Sequence, residues 1–208
     1  MFTAVIDIGT PGKTLGWAAT DMAGKMLDGT DIDDCINTVA EALRKGPVAL
    51  GFEAPMWIPT RNEPALLTSA RKGEAGPGLA PRPFSASAGA TVLVTGMVVV
   101  TYVMRRLRKL VPAGEAYLDW RVPRKDALQL LLWEAFVTNQ KKSHDARHVE
   151  DAKLAVAAFI AGMRVPETFQ SSVIETDCLS LLGAALLKAG WSTDLALLNT
   201  PCLVVRTN

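Results

Sequence analysis

Cysteine is scarce in this sequence: Cys35, Cys178 and Cys202 are the only three among 208 residues. An odd number, widely spaced, argues against a disulfide framework or a CxxC metal site and suits a reducing cytoplasm. Histidine is scarcer still, with His144 and His148 alone. A zinc site on that i,i+4 pair would lack a third histidine. Charge of neither sign dominates: the net charge is +1, so the balance alone does not announce a nucleic-acid binder. Few aromatics alternate with the basic runs 105–109 and 121–125, so no stacking platform for single strands is evident. No GxxxxGK[ST] occurs, which removes a Walker A loop. The opening MFTAVIDIGT has no positive n-region and carries Asp7, so it does not read as a signal peptide.

What is present suits one compact domain: 49% of residues are hydrophobic and 21% charged. One stretch challenges a soluble reading. Residues 85–104, SASAGATVLVTGMVVVTYVM, carry no charge, and RRLRK follows. The length matches a membrane span with a basic flank. However, Ser85, Ser87, Thr91, Thr95, Thr101 and the small residues 88–90 weaken its first half. Strand-like segments on both sides also need a helix to cover them. The expectation is a buried helix of a soluble domain, with no membrane involved.

Residues 2–8 are apolar and β-prone, and Gly9, Pro11 and Gly12 punctuate a turn. Residues 14–20 read as a second strand and 25–27 as a short third, joined by a hairpin turn. Residues 32–45 are amphipathic, acidic at the start, basic at the end, and stopped by Gly46-Pro47, which predicts a helix. Residues 48–53 form the next strand. Residues 59–84, rich in Pro, Gly and charge, predict a long loop with one short helix near 63–70. A long helix over 85–110 and a strand over 114–119 follow. Residues 123–138 read as a helix, with Leu128, Leu131, Leu132 and Phe136 as its core stripe. Further helices are expected over 147–163 and 176–189, and a last strand over 202–206. Tight turns make the first three strands antiparallel, whereas helical crossovers make the next two parallel to the first. The expected fold is α/β: a mixed five-stranded sheet with helices on both faces. A main domain over 1–165 would carry a C-terminal helix-strand extension over 166–208.

Glu53 raises a question, because it ends an apolar strand with Pro55 close behind. A buried carboxylate needs a partner. Arg61 or Arg71 of the following loop could supply one. A second answer comes from Asp7, near the end of the first strand. If these strands are parallel neighbours, both carboxylates lie at one sheet edge, where open α/β sheets bind ligands. The segment HDARHVEDAKLAVAAF adds His148 and Asp151, three apart and so on one helix face. Glu150 and Asp145 compete with Asp151, and the stripe Leu154, Ala158, Ile160 favours Asp151 facing the sheet. Converging carboxylates repel one another unless a cation holds them, and oxygen ligands suit Mg²⁺ or Mn²⁺. Arg61, Arg71, Lys72 and Arg82 of the loop are candidates for binding phosphate.

The chain resembles the RNase H-like superfamily at three places. IDIGTPGKTLGWAATDMAGK is similar to its first hairpin, GFEAP to its acidic fourth strand, and HVEDAKLAVAAF to the last-helix motif of Holliday-junction resolvase relatives. It also resembles a family of uncharacterised nucleases with an Arg- and Gly-rich loop after strand four, as in SARKGEAGPGLAPRPFSASAGA. The resemblance covers about residues 1–165. It implies a divalent-metal site on Asp7, Glu53 and Asp151, with His148 as fourth ligand or proton-transfer partner. The implied activity is hydrolysis of a phosphodiester, in a nucleic acid, by metal-activated water. Two alternatives remain: a non-catalytic RNase H-like scaffold, or a phosphotransferase of the sugar-kinase or actin type, whose hairpin DIGTPGKT resembles. Those phosphotransferases carry two such domains, and this chain has room for one. A homo-oligomer is compatible with either outcome.

Overall fold

A computed structural model describes the chain except residues 22, 76–83, 123–124, 138–146, 166–167, 176 and 208. The first half follows the sequence expectations closely. Strands β1 (Phe2–Asp7), β2 (Gly16–Thr20) and β3 (Met26–Gly29) form an antiparallel meander. Helix α1 (Ile32–Lys45) starts where the Asp31 side chain accepts hydrogen bonds from the Asp33 and Asp34 amides, and it ends at Gly46. Its stripe of Cys35, Ile36, Val39, Ala40 and Leu43 is buried. Strand β4 (Val48–Glu53) then returns parallel to β1. A short strand, β5 (Trp57–Pro59), precedes the long loop.

Helix α2 (Ser87–Leu110) has two faces. Gly96, Val99, Val100, Val103, Met104 and Leu107 are buried. On the other side Val94 and Val98 are 62% and 70% exposed. The expected buried helix is therefore buried along one stripe only. By length and composition alone it would cross a membrane, yet its inner stripe joins the core beneath the sheet.

Residues 123–138 correct the sequence reading. Their described centre is strand β7 (Gln129–Phe136), which inserts between β4 and the short strand β6 (Glu115–Tyr117). A strand buried on both faces shows no alternation, and its leucines then mimic a helical stripe. Leu130 and Leu132 enter the core under α1 and α2, while Leu131, Trp133 and Ala135 enter the core under α3 (Arg147–Met163). Residues 176–189 also divide. Strand β8 (Cys178–Ser180) pairs with β5, and helix α4 (Leu181–Lys188) follows, capped by the Ser180 hydroxyl. Strand β9 (Val204–Arg206) pairs with the end of β7.

The main sheet thus has seven strands rather than five, in the order β3-β2-β1-β4-β7-β6, with β9 beyond β7. Its first pairs are antiparallel and the rest parallel, with helices on both faces. This order is consistent with an RNase H-like fold.

Candidate metal centre

Strand pairing brings the first two acids together. Asp7 ends β1, Glu53 ends β4, and the two are direct partners in the parallel register. Side chains alternate along a strand, so Asp7 lies on the same face as Val5, the face covered by α3. Helix α3 supplies the third. Asp151 precedes Ala152, Ala155, Val156 and Phe159, all buried against the sheet. The expected stripe of Leu154, Ala158 and Ile160 is wrong in phase, since Leu154 is exposed. The conclusion about Asp151 still stands, because Asp151 and Ala155 are four apart on the inner face.

A glycine makes this approach close enough. Gly16 opens β2 directly opposite Asp7. A Cβ there would stand 2.5 Å from the Val149 nitrogen and 2.6 Å from the His148 carbonyl carbon. The first turn of α3 therefore rests on bare backbone at Gly16. His148 then reaches across, placing Nδ1 2.8 Å from Asp7 Oδ1. An ionised carboxylate can only accept, so Nδ1 carries a proton and donates to Asp7.

Asp7, Glu53 and Asp151 each offer one carboxylate oxygen within 4.8 Å of the others. Asp7 is 1% exposed, Asp151 7%, and Glu53 half-buried. This donor set fits a hard cation. Octahedral ligands at about 2.1 Å from Mg²⁺ lie about 3.0 Å apart when adjacent and about 4.2 Å apart when opposite, so the three side chains must draw closer to share one ion. Of the competing acids, Glu150 is turned outward to Lys153, at 3.1 Å. Asp145 lies outside the described residues, as does His144.

The loop cations divide. Arg61 pairs with Glu175 at 2.9 Å and donates to the carbonyls of Leu66, Ser69 and Ala70, so it shapes the loop. Arg71, also a phosphate candidate, is 2% exposed and already paired within the fold. Its Nη atoms donate to both oxygens of Glu134 at 2.5 and 2.8 Å, and its Nε donates to Glu74 at 2.7 Å. Burial opposes the charge on Arg71, but Glu134 and Glu74 together hold its pKa above the ordinary value. Lys72 is exposed and holds the loop to Glu175 through its backbone amide. Arg82 lies outside the described residues.

The sequence reading missed Glu134 and Glu74. Glu134 sits in QLLLWEAF, an acid inside an apolar run, which is the same signal that singled out Glu53. It pairs in register with Phe52, the residue before Glu53, and so faces the opposite side of the sheet from the acid triad. A small cavity of about 110 Å³ touches Glu53, Pro55, Arg71, Glu74 and Glu134.

Comparison with family models, with curated proteins and with solved structures finds no match for this chain. The sheet order and the Asp-Glu-Asp cluster carry the functional reading.

Proposed function

We propose that the protein is a divalent-metal-dependent phosphodiesterase, with nucleic acid as the substrate class. The observation that carries this reading is the convergence of Asp7, Glu53 and Asp151 at the carboxyl end of a sheet consistent with an RNase H-like fold. The likeness of HVEDAKLAVAAF to resolvase relatives, and of the loop to a family of uncharacterised nucleases, supports the same assignment.

In this reading the three carboxylates hold Mg²⁺ or Mn²⁺. The bound cation would supply charge neutralisation at the phosphate and a more acidic water. His148 orients Asp7 through its Nδ1–H, an outer contact of the kind that fixes ligand geometry. Its Nε2 is the nitrogen left to exchange a proton. Lys72 and Arg82 are the loop cations assigned to the phosphate backbone, whereas Arg71 is committed to Glu134 and Glu74.

The test is Mn²⁺ titration of the parent, Asp7→Asn and Asp151→Asn, followed by Mg²⁺-dependent cleavage of single- and double-stranded nucleic acids and of a simple phosphodiester. Saturable binding and cleavage, both lost in the variants, support the assignment. Parent protein that neither binds Mn²⁺ nor cleaves any substrate would sink it. A binding scaffold without catalysis is the second reading, favoured by the exposed apolar residues Val94, Met97 and Val98 on α2. It predicts that Asp7→Asn leaves partner binding intact.

A further inference from the structure

We infer that Glu134 and Arg71 are positioning residues that fix Glu53 at the metal centre from the opposite face of the sheet. The inference rests on the metal reading above. Main-chain pairing between β4 and β7 ends at Phe52 with Glu134, one residue short of Glu53. From there the chain leaves the sheet through Ala54 and Pro55 and re-enters a strand at Trp57. A carboxylate at the point where a strand departs needs something to set the direction of departure.

Side chains take over where the ladder stops. Glu134 Oε2 accepts the Met56 amide at 2.8 Å. The same oxygen accepts Arg71 Nη1 at 2.8 Å, and Nη1 also donates to the Trp57 carbonyl at 3.2 Å. The guanidinium lies 4.7 Å from the centre of the Trp57 ring. Glu74 completes the hold on Arg71 by accepting both its Nε and its backbone amide, each at 2.7 Å. The Met56 carbonyl is fixed too, accepting the amides of Leu181 and Leu182 at the start of α4. Residues 56 and 57 are therefore pinned through backbone atoms by a buried, charge-assisted network. Glu53 is three residues from the first pin and is partnered in register to Asp7 on its other side. Between these fixed points the Glu53 backbone has little freedom to shift, which sets where its side chain starts relative to Asp7 and Asp151.

The test measures Mn²⁺ affinity by the free-ion electron paramagnetic resonance signal, well below the melting temperature. Glu134→Gln keeps the shape and an acceptor for Met56 but removes the charge that holds Arg71. Leu107→Ala, in the α2 core, serves as a destabilised control remote from the rim. Asp7→Asn reports on the metal reading itself. The expected result is affinity about tenfold weaker in Glu134→Gln, parent-like in Leu107→Ala, and abolished in Asp7→Asn. Affinity within about twofold of the parent in Glu134→Gln, with Asp7→Asn still abolished, overturns the positioning role and leaves the metal reading standing. Equal weakening in Glu134→Gln and Leu107→Ala also overturns it, since loss of stability alone then explains the effect. Parent protein that takes no Mn²⁺ overturns both. If Glu134→Gln does not fold, Arg71→Lys, which keeps the charge but loses the bidentate fork, is held to the same criteria.

Discussion

Two groups of buried acids meet the same sheet rim from opposite faces. Below, Glu134 and Glu74 close around Arg71. Above, Asp7, Glu53 and Asp151 converge beside an imidazole that donates to Asp7. The lower group brings its own cation, with fork geometry matched to Glu134, so it is a finished ion-pair network. The upper group offers three carboxylate oxygens close together, a donor set suited to a hard cation. Composition would score the two groups alike. What separates them is that a guanidinium lies between the acids of the lower group, whereas the upper acids each present an oxygen within 4.8 Å of the others.

The largest expected effect breaks the lower group. Arg71→Ala strands two buried carboxylates, and breaking such a pair costs about 3–5 kcal/mol. Urea unfolding should show that loss as a lower midpoint. Neutralising the upper group should do the reverse. Asp7→Asn relieves repulsion among three acids and keeps an acceptor for His148. We expect stability equal to the parent or higher by about 1 kcal/mol, with Mn²⁺ binding lost. Equal destabilisation by Arg71→Ala and Asp7→Asn would erase the distinction between the groups.

Gly16→Ala sharpens the comparison further, because it touches the upper group alone. The added methyl meets the backbone of His148 and Val149, which cannot yield as a flexible side chain would. The first turn of α3 must lift, taking Asp151 away from Asp7. The outcome should be Mn²⁺ affinity weaker by about tenfold, with about 1–3 kcal/mol lost to overpacking. Calorimetric titration and a thermal melt separate the two effects.

A pH-dependent effect reads the lower group through its thiol neighbours. Burial first, then Asp177, pushes the Cys178 thiol up to about 11 against the opposing pull of Arg71. Burial first, then Glu134, raises Cys202 well above the ordinary thiol value. A raised folded-state pKa contributes stability that is present below the unfolded thiol's pKa and is lost as pH rises through the folded one. Stability should therefore decline between about pH 9 and pH 11. Ellman's reagent at pH 8 should find the thiols unreactive until the protein unfolds. Rapid labelling of native Cys178 would show that this side of the rim opens.

The parts legible in the sequence carry local signals. Helix α1 has its cap, acidic start, basic end and glycine stop all within its own span, and its bounds matched the expectation. The pairing of Asp7 with Glu53 followed from one rule about helical crossovers. Strand β7 was not legible, because burial on both faces removes the alternation that identifies a strand. Missing β7 concealed Glu134, and without Glu134 the loop composition left Arg71 looking like a solvated cation. Asp151 was placed on the correct face from a stripe of the wrong phase, since apolar residues nearly surround α3. Gly16 carried no signal by itself. Its importance lies in what α3 does there, and tertiary packing decides that.

The fixing of Met56 also bears on the order in which the molecule is completed during synthesis. Its amide waits for Glu134, 78 residues further along the chain, and its carbonyl waits for the start of α4. Strand β6 is made before β7 yet pairs with the rest of the sheet only through it. A chain emerging N-terminus first displays Asp7 and Glu53 early, on strands that can already pair. The turn behind Glu53 gains its last described anchors only when α4 is in place. The rim behind Glu53 is thus completed only after α4 has been made, so a shorter nascent chain carries Asp7 and Glu53 without the anchors at Met56.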